Sequence, residues 1–119
     1  MIARTFLPDL YVGMNKTETR RAVELEAKKR TGQIAAWYYE RLTLKLADDT
    51  RYTPDFWVLE NDGSITLEET KGGFIREDAH IKIKIAASLY PFRFVMYQER
   101  PKKDGGGWKV TEFTALRAA

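Results

Sequence analysis

The sequence predicts a single α/β domain in which a central mixed β-sheet is flanked by helices. Three observations support this class. The chain has 119 residues, a length that fits one domain. Short segments with apolar residues at every second position occur in pairs separated by turn sequences. A helical segment lies between two of these strands, and such a crossover implies a parallel strand pair within a mostly antiparallel sheet.

The first helix is predicted over residues 16–31 because both of its ends carry recognisable signals. Asn15 can cap the first turn, Glu18 follows at capping-box spacing, and Gly32 lies just past the last turn. No structure is predicted for residues 1–14. Downstream of the helix we expect two extended segments and a turn, at 34–40, 41–47 and Asp48-Asp49-Thr50.

A hairpin is predicted next, with strands 52–59 and 65–71 joined by the turn Asn61-Asp62-Gly63. Segment 76–90 begins with strand-like alternation, but its length and its continuation favour a helix that stops before Pro91. The last two predicted strands are 92–98 and 108–113.

The composition is that of an ordinary globular domain, with 44% hydrophobic and 31% charged residues. We find no signal peptide and no apolar run long enough to span a bilayer, and there is no cysteine, so we expect a cytoplasmic protein without membrane partners. Because His80 is the only histidine, any metal site must use carboxylates, which suit hard ions such as Mg²⁺. The net charge of +3 gives a mild preference for anionic partners.

Charged residues gather at one end of the predicted hairpin. Glu69 and Lys71 fall on the face that the apolar residues of strand 65–71 reserve for the core, because side chains alternate along a strand. Asp55 and Lys71 are about equally far from the turn, so the three side chains are expected to converge. The same alternation places Glu68 on the opposite face, which predicts a surface position.

This constellation has a catalytic and a structural interpretation. Two carboxylates can hold a divalent cation that polarises a phosphodiester oxygen and activates a water, while a lysine positions that water or neutralises phosphate charge. Alternatively, Asp55 accepts turn hydrogen bonds and Glu69 forms a surface ion pair with Lys71, a contact that contributes about 0–1 kcal/mol. The residues alone favour the structural interpretation.

A family resemblance changes that balance. Pro54-Asp55 followed by Glu69-Thr70-Lys71 resembles the PD-(D/E)xK nuclease superfamily, and residues 15–98 resemble more closely the small phage endonucleases and transposon end-cleaving nucleases. The resemblance implies a restriction-endonuclease-like core, about residues 15–113, and Mg²⁺-dependent hydrolysis of DNA phosphodiesters, with Mn²⁺ able to substitute. Asp55 and Glu69 would bind the metal and Lys71 would position the water.

The phage relatives also imply a Holliday-junction-resolvase-like enzyme of DNA recombination, acting on branched DNA as a homodimer in the host cytoplasm and without a small-molecule cofactor. Two alternatives within nucleic-acid chemistry remain open: a sequence-specific or nicking nuclease targeted by a partner, and a catalytically inactive DNA-binding module. A structural or interaction protein with a coincidental charged hairpin is the third alternative.

Further residues have competing interpretations. Glu18 completes a capping box, yet it shares a helical stripe with Ala22 and Leu25, and the resemblance gives it a role as an outer or second metal ligand. Lys82 lines up with apolar residues of helix 76–90, so we expect it to face the sheet, either snorkelling or reaching the phosphate. The basic residues of segment 16–30 and those of the late loop with Arg100, Lys102 and Lys103 are also explained as solvated surface. The expected nucleic-acid contacts are Lys82, Arg76, Lys16, Arg20, Lys102 and Lys103.

Overall fold

A computed structural model describes residues 10–73 and 77–114 of the chain, and these residues form an α/β structure. The elements in chain order are α1 (Lys16–Arg30), β1 (Ala36–Tyr39), β2 (Leu44–Ala47), β3 (Thr50–Tyr52), β4 (Phe56–Leu59), β5 (Ile65–Lys71), α2 (Glu77–Leu89), β6 (Arg93–Glu99), a 3₁₀ turn (Lys102–Asp104) and β7 (Trp108–Phe113). No helix among the described residues is long and apolar enough to cross a membrane.

The main sheet is mixed and has five strands in the order β1-β4-β5-β6-β7. The β5–β6 pair is parallel and the other pairs are antiparallel, so the predicted crossover through α2 is confirmed. The predicted turn at Asn61-Asp62-Gly63 joins β4 to β5, with Gly63 at a φ of +88° that L side chains rarely adopt.

The predicted strand 52–59 is two strands that belong to different sheets. β2 and β3 form a separate antiparallel pair, and Thr53, Pro54 and Asp55 separate β3 from β4. Pro54 has no amide hydrogen to donate and therefore interrupts a ladder. The break sends β3 into a second layer over the main sheet.

Helix α1 covers one face of the main sheet and begins at the predicted capping box. Oδ1 of Asn15 accepts from the Glu18 amide at 2.8 Å, and the Asn15 amide donates to Oε1 of Glu18 at 3.0 Å. Ala22 and Leu25 are fully buried, as their stripe predicts. The core on this face consists of Ala22, Leu25, Ile34, Trp37, Phe56 and Val58.

Helix α2 and the β2–β3 pair cover the other face, and the prediction that Lys82 faces the main sheet is wrong. The buried stripe of α2 is formed by Ile83, Ala86 and Ala87, whereas Lys82 is exposed and its Nζ donates to the Arg51 carbonyl at 3.3 Å. The small side chains of Ala86 and Ala87 let the helix lie close to the sheet. With the alanine stripe turned toward the sheet, the larger apolar residues Ile81, Ile85 and Leu89 are exposed to solvent.

Glu68 is buried, so the predicted surface position is also wrong. Because helices lie on both sides of the sheet, both faces of β5 are covered, and residues 66–70 are all buried. Alternation correctly places Glu68 and Glu69 on opposite faces, but the face of Glu68 packs against α1 and has no access to solvent.

Candidate active site at the carboxyl end of β5

Asp55 and Glu69 lie side by side at one end of the β4–β5 hairpin. Phe56 pairs with Glu68, so the antiparallel register places Asp55 opposite Glu69. The predicted register placed Asp55 opposite Lys71, two residues further along β5. Both acidic residues are buried, with 8% and 7% of their surface exposed. The structure therefore brings together three of the residues predicted to form the site: Asp55, Glu69 and Lys71.

Asp55 is fixed by the strand opposite to it. Its Oδ2 accepts from the amide of Thr70 at 2.7 Å and from the Thr70 hydroxyl at 2.9 Å. Its carbonyl accepts from the Glu40 amide at 2.8 Å. Burial and the nearby charge of Glu69 raise the pKa of Asp55 to about 7, against the effect of the two Thr70 bonds. Two negative charges are thus unfavourable here unless a cation compensates them.

Glu69 has a partner on each carboxylate oxygen. The Tyr52 hydroxyl donates to Oε1 at 2.8 Å, and Nζ of Lys71 lies 2.9 Å from Oε2. Burial, followed by the charge of Glu69, raises the pKa of Tyr52, so this phenol remains a hydrogen-bond donor at any physiological pH. Tyr52 reaches the site from β3 in the small sheet, a layer that the sequence does not place over β5.

Lys71 is the most accessible member of the group, with 30% of its side chain exposed. Burial lowers its pKa, but the charges of Glu69, Asp55 and Glu18 outweigh burial and the net change is upward. The amine is therefore a cation and a donor at neutral pH. It has three N–H groups, and the Glu69 contact uses one of them.

Glu18 lies near this group but is held by other contacts. The first turn of α1 approaches the end of β5, since a Cβ on Gly72 would lie 3.9 Å from Oγ1 of Thr17. Oε1 of Glu18 accepts from the Asn15 amide and from the Tyr39 hydroxyl, each at 3.0 Å. Its charge contributes to the raised pKa values of Asp55 and Lys71. The predicted capping role is confirmed.

The donor set is suited to a hard divalent ion held by two carboxylates. Mg²⁺ keeps several waters and takes one or two protein carboxylates. Oδ1 of Asp55 accepts no hydrogen bond from a described residue, and each oxygen of Glu69 has a second lone pair. Within residues 10–73 and 77–114, no three acidic or histidine side chains are grouped closely enough to hold a metal. The role of Glu18 as an outer or second metal ligand stays a prediction.

The basic residues predicted to contact nucleic acid are spread over several places. Arg20 donates to Oε2 of Glu99 at 3.1 Å and stacks over Trp108 at 4.3 Å. Lys82 lies beside β3 at the edge of the small sheet. Exposed lysines at the start of α1 and in the 3₁₀ turn are Lys16, Lys102 and Lys103. Arg76 lies outside the described residues.

On the opposite face of β5, Glu68 forms a buried ion pair that sequence reasoning missed. Arg21 donates to both Glu68 oxygens, at 2.7 and 2.8 Å, and its guanidinium lies 3.8 Å from the centre of the Tyr97 ring. Burial lowers the pKa of Arg21, but the bonds to Glu68 outweigh it and the net change is upward. Glu68 therefore anchors α1 to the sheet, while Glu69 faces the candidate site.

Comparison with known proteins gave no match: no protein-family model, no curated protein and no solved structure matches the chain.

Proposed function

We propose that this chain is a metal-dependent endonuclease that hydrolyses DNA phosphodiesters. The observation that carries the proposal is the placement of two buried carboxylates, Asp55 and Glu69, beside the cationic Lys71. Burying charged groups side by side is unfavourable, and clusters of this kind concentrate at functional sites. The resemblance of Pro54-Asp55 and Glu69-Thr70-Lys71 to the PD-(D/E)xK nucleases assigns the same three residues to one site.

The burial of the acids argues against the alternative of an ordinary charged hairpin end. A solvated turn would leave Asp55 and Glu69 exposed, and their ion pair with Lys71 would contribute little. Here both acids are covered by the small sheet and the β4–β5 ladder, and only Lys71 is appreciably accessible. A ligand that reaches Lys71 from solvent therefore meets a site with a preformed negative interior.

Each residue has a distinct role in the proposed reaction. Asp55 and Glu69 would hold Mg²⁺ or Mn²⁺, an ion that polarises a phosphodiester oxygen and lowers the pKa of a bound water. Lys71 has free N–H groups that can orient the attacking water or stabilise charge on the phosphate. Thr70 and Tyr52 hold the two carboxylates in place. Glu18 supplies negative charge from an outer position.

A cleavage assay tests this proposal directly. We expect the wild type to cut DNA with Mg²⁺ or Mn²⁺ and to stop in EDTA. Asp55→Asn, Glu69→Gln and Lys71→Ala should each lose about 10²–10³-fold in rate. Asp62→Asn, which removes a charge at the exposed hairpin turn, is the matched control and should keep its activity. Full activity of Lys71→Ala or Asp55→Asn would rule out these roles.

The substrate we propose is branched DNA, cut by a homodimer in the manner of a Holliday-junction resolvase. The support is the resemblance to phage endonucleases and the small size of the domain, which covers little DNA by itself. Four-way junctions should be cut faster than linear duplex, nicked or single-stranded DNA. Analytical ultracentrifugation that shows only monomer, with and without DNA, would remove the dimer. A preference for one duplex sequence would favour a partner-targeted or nicking enzyme.

A DNA-binding module that does not cut is the second candidate, and a specific observation favours it. Both oxygens of Glu69 are already engaged by Tyr52 and Lys71, and Glu18 is engaged by its cap and by Tyr39. Such a site can persist as a structural element without metal. Binding to all four DNA forms with no metal-dependent turnover on any of them would establish the module and exclude the enzyme.

A further inference from the structure

A basic groove lies at the carboxyl end of β5, the end of the strand that carries Glu69 and Lys71. Two adjoining pockets, of about 660 and 430 Å³, lie between the loop of residues 100–107 and the ends of β5 and β6. They share Gly73, Glu99, Arg100 and Pro101, so they form one continuous groove. Its size is that of a ligand larger than a free phosphate ion.

The groove is joined to the site through the end of β5. Gly73 follows Lys71 by two residues and lines both pockets. Gln98 pairs with Lys71 in the parallel β5–β6 ladder, and its Nε2 donates to the Gly73 carbonyl at 2.8 Å. The end of β5 and its pairing with β6 therefore link Lys71 to the groove.

The charge of the groove is positive. Its basic side chains are Arg20, Arg100, Lys102 and Lys109. Of its two acids, Glu99 is already occupied by Arg20 and by the Thr17 hydroxyl, at 3.1 and 2.9 Å. In the part of the chain that the structure describes, Lys102 and Lys109 form no ion pair. Two exposed amines thus remain available to an anionic ligand.

The loop that carries Lys102 is held in one shape by its own backbone. The Arg100 amide donates to the Gly107 carbonyl and the Gly106 amide to the Pro101 carbonyl, each at 3.0 Å. Gly105, Gly106 and Gly107 have φ values of +99°, +64° and +75°, in the left-handed region that favours glycine. The lysine is therefore presented from a fixed turn, and binding requires little ordering of the loop.

We propose that this groove binds the sugar–phosphate backbone of a DNA strand on one side of the candidate active site, with Lys102, Lys109 and Arg100 contacting phosphates. The proposal rests on the proposed function only in taking DNA as the ligand. Phosphate contacts position a protein on nucleic acid without reading its sequence. The groove would set which phosphate of the strand lies at Lys71.

The test separates binding from cleavage by using the full chain with Asp55→Asn in EDTA. Anisotropy of labelled single-stranded and duplex DNA is measured at several salt concentrations. Lys102→Ala/Lys109→Ala should weaken binding about tenfold and lower the slope of log K against log salt by about 1–2. Lys29→Ala/Lys84→Ala removes the same charge from exposed positions of α1 and α2 and should change the affinity less than about twofold.

Two results would overturn the groove proposal even where the Lys102→Ala/Lys109→Ala variant binds DNA more weakly. One is an equal loss of affinity in the Lys29/Lys84 control, which would mean that only total charge matters. The other is displacement of the strand by stoichiometric inorganic phosphate, which would assign the groove to a free anion. If the wild type never cleaves DNA but Lys102→Ala/Lys109→Ala weakens binding, the groove proposal stands and the nuclease proposal fails. If the wild type cleaves DNA but the two substitutions leave binding unchanged, the nuclease proposal stands and the groove proposal fails.

Discussion

The buried hydroxyl of Tyr52 donates to Oε1 of Glu69 at 2.8 Å and links the small sheet to the candidate active site. Tyr52 is the last residue of β3, and Glu69 lies in the central β5 strand of the other sheet. The contact fixes the carboxylate from the side opposite Lys71. The β2–β3 pair thus serves as a support for the site as well as a cover for the core.

Tyr52→Phe should raise the Mg²⁺ concentration required for half-maximal cleavage by about 10–100-fold, because outer contacts orient metal-binding carboxylates. The measurement is a Mg²⁺ titration of the cleavage rate. Tyr90→Phe is the control, since the Tyr90 hydroxyl donates to the Lys45 carbonyl at 2.6 Å and also links α2 to the small sheet. It should leave the titration unchanged. The same shift of the Mg²⁺ requirement in both variants would mean that loosening the β2–β3 sheet, not losing the Tyr52 hydroxyl, changes the Mg²⁺ requirement.

Asp55→Asn should stabilise the metal-free protein at alkaline pH. The native pKa of about 7 exceeds the ordinary value of 3.8, so the native state binds more protons between these values and the free energy of unfolding falls as pH rises through them. Asparagine keeps an oxygen acceptor for Thr70 and carries no charge. We expect the variant to be more stable by up to about 4 kcal/mol at about pH 8, with the difference vanishing near pH 4. Urea denaturation in EDTA at each pH measures it, and a pH-independent difference would contradict the prediction.

Glu68→Ala should destabilise the fold by about 3–5 kcal/mol because it leaves Arg21 charged and buried without its partner. The double variant Arg21→Met/Glu68→Leu should recover most of that loss, since it removes both charges and keeps apolar volume. The exposed pair of Arg93 and Glu112, with side chains 51% and 45% exposed, is the control, and Glu112→Ala should cost only about 0–1 kcal/mol. Urea denaturation compares the three variants with the wild type. Equal losses for Glu68→Ala and Glu112→Ala would show that burial does not govern the pair.

Asn15→Ala and Glu18→Ala separate the capping role of Glu18 from its proposed role in the site. Each change breaks the same reciprocal cap and should lower the free energy of unfolding by about 0.5–2 kcal/mol. Only Glu18→Ala removes the carboxylate that acts on Asp55 and Lys71, and it should lower the cleavage rate about tenfold or more. If the two variants cleave DNA at the same rate, Glu18 has only its helix-capping role and no role in the site.

Local signals in the sequence determined most of the secondary structure. The capping box of Asn15 and Glu18, the turn at Gly63 and the stop before Pro91 each act within a few residues, so the chain needs no distant contact to express them. The crossover through α2 likewise determined the parallel β5–β6 pair. Strand alternation brought Glu69 and Lys71 to one face.

Only the tertiary structure decided which surfaces are covered. Glu68 is buried because α1 packs on its face of the sheet. Lys82 is exposed because α2 packs on the sheet through its alanine stripe, which leaves Lys82 outside the contact. Tyr52 belongs to the site because the chain breaks at Pro54, so that β3 lies in the small sheet and not in the same strand as β4. Each outcome depends on how separate elements pack together, and contacts between residues distant in the chain leave no local pattern in the sequence.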